Sequence, residues 1–146
     1  MSFDEIEHTD HVQIGTGAAP SEIELAQQKL NVVFPDDYKD FLLKFGRAKL
    51  KYDHVHGIGY GVPDLANVVL NTIDERDDFE PLLPNHLIPV MNDGSGNHFC
   101  IDINKSRHGI SPIVFWDHES RDGQSQIPEL ISPSFEKWFL ETTKTC

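Results

Sequence analysis

Cysteine is scarce in this chain. Only Cys100 and Cys146 occur among 146 residues, too few for the disulfide framework of a small secreted scaffold. Basic side chains are also few. Twelve Lys and Arg stand against 24 Asp and Glu, a formal net charge of −12. Such a field repels phosphate backbones and anionic lipid, which argues against direct binding to nucleic acid or a membrane. Long apolar runs are missing too. No stretch approaches the roughly 20 apolar residues that span a bilayer. The acidic segment Met1 to Asp10 lacks the apolar run of a signal peptide. A reducing cytoplasm is the compartment these absences suggest.

What is present is a globular composition. Hydrophobic residues make up 38% and charged residues 25%. A chain of this length forms one domain and buries roughly 70% of its unfolded surface. Nine Phe, three Tyr and two Trp supply large apolar areas for its interior. The acidic excess serves solubility, and it also suits a basic protein partner.

The helical half comes first. Gly15-Thr16-Gly17-Ala18-Ala19-Pro20 reads as a loop after an acidic N-terminal segment, residues 1–19. Ser21 and Glu24 have the spacing of a capping box and predict a helix from Ser21. Its apolar stripe is Ile23, Ala26 and Leu30, interrupted by Gln27. A second helix is expected from Pro35, with Asp36 and Asp37 in its first turn. Tyr38, Phe41, Leu42 and Phe45 give it one strongly apolar face, and Gly46 is placed to end it. Tyr52 to Pro63 reads as short strands and turns. Leu65 to Ile73 fits either helix or strand.

After Asn85 the pattern is that of a β-meander. Leu87 to Met91 is apolar, and Asp93-Gly94-Ser95-Gly96-Asn97 is turn chemistry. Phe99, Ile101 and Ile103 alternate with Cys100, Asp102 and Asn104, the period of a half-buried strand. Pro112 to His118 predicts a third strand, with Ile113 and Phe115 on one face and Val114 and Trp116 on the other. A last helix is expected from Ser132-Pro133, with Phe135, Trp138 and Phe139 as its stripe.

Chemistry-bearing motifs are weak. His54 and His56 face one side of any strand that holds them, and His98, Asp102 and His118 are near enough in a hairpin to converge. None has a recognised zinc spacing, so no metal and no cofactor are expected. The Asp93 turn lacks the Gly and the bidentate Glu of a calcium loop, since those positions are His98 and Asn104. Gly94-Ser95-Gly96 leads into a strand, whereas phosphate loops open a helix. Cys100 lies mid-strand, and no nucleophile elbow occurs. No catalytic residue is expected. The densest charge is Asp74, Glu75, Asp77, Asp78 and Glu80, five acids in seven residues beside a Pro-rich break. An exposed loop is predicted there, either binding a partner or solvated.

Three segments together resemble the SUKH superfamily, a group containing a fungal cell-wall-synthesis regulator of SMI/KNR type. They are Pro20 to Leu30, Phe34 to Gly46, and Asn92 to Asn97 with the strands Phe99 to Asp102 and Ile113 to Glu119. The family's usual Asn-Gly-Gly is replaced here by Phe45-Gly46-Arg47. The resemblance implies an α+β domain over residues 20–146, with helices packed on a mixed, largely antiparallel sheet and no catalytic residues. It further implies an immunity protein of a polymorphic or contact-dependent toxin system. Such a protein binds a cognate toxin, a basic nuclease being the class that suits the charge. The alternative is a regulatory interaction module of the cell-wall-regulator type.

Overall fold

Asn67 decides the fate of the ambiguous middle of the chain. Its Oδ1 accepts hydrogen bonds from the backbone N–H groups of Val69 and Leu70, at 2.9 and 3.0 Å. That is an N-cap, so the segment that fits either helix or strand becomes a helix. In the computed structural model, which describes Phe3 and residues 11–145, the α+β class holds. The elements run β1 Gln13–Ile14, α1 Pro20–Leu30, α2 Asp36–Lys44, β2 Ala48–Lys49, β3 His54–Val55 and α3 Val68–Asp77. They continue with β4 Leu87–Asn92, β5 His98–Asp102, β6 Ile113–Trp116, β7 Glu129–Ser132 and α4 Phe135–Thr145. Met1, Ser2, residues 4–10 and Cys146 lie outside the described residues, as does most of the acidic segment expected at 1–10.

The strands form two small antiparallel sheets, β1-β2-β3 and β4-β5-β6-β7. The one parallel pairing among the described residues is the isolated bridge between Gly57 and Asn67. The two sheets meet where the His56 N–H donates to the Val90 carbonyl at 2.7 Å.

Local chemistry shifts several predicted boundaries. Helix α1 starts at Pro20, and Glu22 rather than Glu24 reaches back, accepting from the Ala19 N–H at 3.0 Å. Pro at the first helical position needs no donor there, so the helix gains a residue over the Ser21 start. Gln27, which interrupts the apolar stripe, has a task of its own. Its Oε1 accepts from the Phe34 N–H at 2.9 Å and ties down the turn into α2. Pro35 is the residue before α2 rather than its first. Gly46 ends that helix at φ +71°, in the left-handed region. Gly57 packs so tightly behind it that a Cβ would lie 1.6 Å from the Gly46 carbonyl oxygen.

At the other end, α4 begins at Phe135, not Ser132. Ser134 Oγ accepts from the Lys137 N–H, and Asp37 of α2 accepts from the Glu136 N–H at 2.9 Å. Burial holds the Asp37 carboxyl above the usual range, partly offset by the backbone N–H groups of Glu136, Tyr38 and Asp37 itself. Ser132 belongs to β7, an edge strand that periodicity does not reveal. It is four residues long, mostly exposed, and closed in by Pro128 and Pro133, a usual way to blunt a sheet edge.

Strand β5 is buried on both faces, unlike the half-buried strand its alternation predicts. Ile101 and Ile113 face the main core, and Phe99 packs on Phe115 and on Trp138 of α4. Cys100, Val114 and Trp116 face a second small core closed by Leu83 and Leu87. The Pro81 to Pro84 segment supplies that cover, which alternation within a strand cannot show. The strand ends at Asp102, because Ile103 to Lys105 coil into a 3₁₀ turn.

The main core is aromatic. Tyr38, Phe41, Leu42 and Phe45 are all buried, as the stripe predicts. Phe41 meets Phe135 and Phe139 of α4, each at 5.1 Å between ring centroids. Phe41→Ala therefore removes a fully enclosed ring, and a loss of about 3–5 kcal/mol is expected in a denaturant titration. A loss below about 1 kcal/mol would show that the face is not packed.

Candidate partner-binding face

Helices normally carry acids at the N-terminal end and bases at the C-terminal end, where the backbone dipole favours them. Helices α1, α2 and α4 obey this, ending with Lys29, Lys44 and Lys144 in their last turns. Helix α3 does not. Asp74, Glu75 and Asp77 stand in its last turn, Asp78 follows as the C-cap, and Glu80 lies two residues on. Each acid faces the negative end of the helix, at about 0.3–1 kcal/mol apiece for exposed groups. The one base of that turn, Arg76, is turned away. Its guanidinium donates to the carbonyls of Leu30, Asn85 and Leu87 and pins α3 to the body of the domain. The helix dipole does not account for the acids at this end.

The expected exposed loop over Asp74 to Glu80 is thus corrected to a helix end. The Asn67 cap and buried Val68, Val69 and Thr72 start a helix that the acids continue. Asp74, Asp77, Asp78 and Glu80 are exposed, while Glu75 is half-buried and faces inward. Apolar side chains accompany them. Leu70, Ile73 and Phe79 are all exposed along the same helix and its exit. Exposed apolar side chains grouped in this way can serve a protein contact, with the acids at its polar rim.

Inward of the strip, Glu75 Oε1 lies 3.0 Å from His98 Nε2. His98 is only 4% exposed, and its Nδ1 has no hydrogen-bond partner. The pair forms one wall of a cavity of about 180 Å³, which Phe79, Glu80, Asn92 and His118 also line. Asn97 orients His118. Its Oδ1 accepts from the His118 backbone N–H at 3.0 Å and lies 2.8 Å from Nδ1 of the same ring. Asp93 holds Asn97 in turn, accepting from Nδ2 at 3.0 Å. Hydrogen bonds from Ser95 and Asn97 hold the Asp93 carboxyl below its ordinary range, against partial burial.

The structure therefore brings together His98 and His118 of the expected trio, but not Asp102. Asp102 is used locally, its Oδ1 accepting from the Asn104 N–H at 3.1 Å. Among the described residues no three His, Cys, Asp or Glu side chains lie close enough to hold a metal ion. Cys100 is fully buried, and that burial pushes its thiol well above the ordinary value, away from the reactive thiolate. The sequence brings His98 and His118 near each other but does not join them to Glu75 and Phe79. The signal that finds them is register: His98 pairs with Trp116, which carries His118 to the same end of the sheet.

His54 and His56 do face one side, lining a separate hollow of about 150 Å³. His56 is structural. Its backbone carbonyl accepts from the Tyr38 hydroxyl at 2.7 Å, and its Nδ1 lies 3.2 Å from the Pro89 carbonyl. Burial pushes its imidazole down to about 4.

Residues 20–139 match the SUKH_6 family, described as SMI1-KNR4 cell-wall. The chain belongs to this family. Two relatives come from Bacillus subtilis strain 168. The SPbeta prophage-derived uncharacterized protein YokK is 29% identical over 94% of this chain and 84% of its own length. The uncharacterized protein YnaB is 32% identical over 84% of this chain and 74% of its own. SUKH domains are commonly immunity proteins in polymorphic toxin systems and are generally non-catalytic binding domains. Among the described residues of this SUKH chain, no helix is long and apolar enough to cross a membrane.

A pH prediction follows from His56. Its folded value lies below the unfolded 6.5, so the unfolded chain binds more protons between the two. Stability from this group is complete above about 6.5 and falls as pH drops toward 4, by about 3 kcal/mol in all. His56→Gln should flatten that part of the stability–pH curve in urea titrations. An unchanged slope in the variant would contradict the assignment.

Proposed function

We propose that this chain is a cytoplasmic immunity protein that binds and neutralises a cognate toxin of a polymorphic or contact-dependent system. The observation that carries this reading is the acid-bearing end of α3, which opposes its own helix dipole in a member of a family of binding domains. A basic nuclease is the toxin class that fits. Such an enzyme presents Lys and Arg to a phosphate backbone, and the same side chains pair with Asp74, Asp77, Asp78 and Glu80. Leu70, Ile73 and Phe79 add apolar area beside the charges. Blocking the basic surface neutralises the enzyme without any chemistry in the inhibitor. The family's cell-wall description supports a second reading, a regulatory module for cell-wall assembly.

The test begins by identifying a toxin encoded beside this chain and then uses its toxic domain. Co-expression should restore growth and the two chains should co-purify. Asp74→Asn, Asp77→Asn, Asp78→Asn and Glu80→Gln together should slow association about tenfold or more at low salt and flatten its salt dependence. Unchanged kinetics in a folded variant would remove the α3 end from the interface. Failure to restore growth, with cell-wall enzymes co-purifying instead, would favour the regulatory reading.

A further inference from the structure

We propose that the cavity at the end of α3 receives the guanidinium of an arginine side chain presented by the protein partner. This deepens the toxin-binding reading and rests on it for the source of the arginine. The proposal comes from the hydrogen-bonding capacity of the cavity walls. In a neutral imidazole one nitrogen donates and the other accepts. His98 Nε2, 3.0 Å from a carboxylate oxygen of Glu75, is the donor, so Nδ1 is left an unpartnered acceptor, buried behind the cavity surface. His118 is fixed the other way round. Asn97 Oδ1 accepts from a backbone N–H and so is the amide oxygen. The His118 Nδ1 beside it must then carry the proton, which leaves Nε2 as the acceptor. Glu75 and Glu80 add carboxylates. The ionisable side chains of the wall thus offer acceptors and negative charge.

The complement is a cation rich in donors. The cavity, about 180 Å³, equals the volume of about six waters, room for a guanidinium and its nearest methylenes. Guanidinium has five N–H donors in one plane, whereas an ammonium has three and is more strongly hydrated. Phe79 also lines the cavity, and an aromatic ring can stack on a planar cation. The negative end of the α3 dipole adds to the attraction. Arg76 does not fill the site itself, because its guanidinium is engaged by the carbonyls of Leu30, Asn85 and Leu87.

The test is an NMR titration of the full chain with N-acetyl-arginine methylamide near pH 8, where an ordinary imidazole is neutral. The uncharged isostere N-acetyl-citrulline methylamide and the corresponding lysine amide run alongside. Saturable shifts are expected at the amides of Phe79, Glu80, Gly96 and His98, with a dissociation constant of about 1–20 mM. Citrulline should bind at least about tenfold more weakly, and lysine more weakly than arginine. Glu75→Gln, which keeps the shape and an oxygen for His98, should weaken arginine about tenfold. Glu24→Gln on α1 should leave it unchanged. No saturable shift at these residues, equal shifts from citrulline, or stronger binding of lysine would overturn the proposal. Its failure with toxin neutralisation intact sinks the cavity assignment alone. Arginine binding without neutralisation upholds the cavity and sinks the immunity reading.

Discussion

The Phe41 ring meets five other aromatic rings, those of Phe3, Tyr38, Phe45, Phe135 and Phe139, at centroid distances from 5.1 to 6.3 Å. Such pairs contribute about 0.5–1.5 kcal/mol each beyond the area they bury. They clamp α2 to α4, and the rest of the fold is hung on that clamp. Tyr38 extends it, because its ring stacks within the cluster while its hydroxyl donates to the His56 carbonyl. His56 in turn donates its N–H to Val90 of β4. One chain of contacts thus runs from the aromatic core through both sheets. It holds β4 and β5, and with them the strand ends that carry Asn92 and His98 to the cavity.

Helix α3 is attached to this frame differently. Its inner face is short, with Val68, Val69 and Thr72 buried, and Arg76 fastens its far end through backbone carbonyls. Glu75 of the last turn packs inward on His98, while Asp74 and Asp77 stay exposed. Among the described residues, three of the four α-helices place charge as their dipoles demand, so the reversal in α3 is a local exception. Local conflicts of this kind are where binding or catalysis is most often found. Here the conflict stands beside the cavity that Glu75, Glu80 and His118 line, which supports the proposed basic, donor-rich partner.

Much of the fold is legible in the sequence because its signals are local. The Tyr38 to Phe45 stripe, the Asp93 to Asn97 turn and the Phe135 to Phe139 stripe each declare themselves within a few residues. What escapes is non-local or masked. Strand β7 is exposed and bounded by prolines, so it has no buried face to set a period. The helical state of α3 depends on one asparagine cap, easily read as a turn residue. The acids of the candidate face stand out in composition, but their companions do not. His98 and His118 meet Glu75 and Phe79 only through strand register and the return of the chain after Pro81. No window of sequence contains that meeting.

The central claim is that the end of α3 is the face that engages the toxin. Amide hydrogen exchange of the chain, free and bound to that toxin, tests it most directly. The account predicts slowed exchange confined to residues 74–83, with the 94–98 turn and residues 117–119 beside it, since buried interface amides lose access to water. Protection confined to another surface, such as the exposed side of α1 or the β7 edge, with the α3 end exchanging as in the free chain, would contradict it.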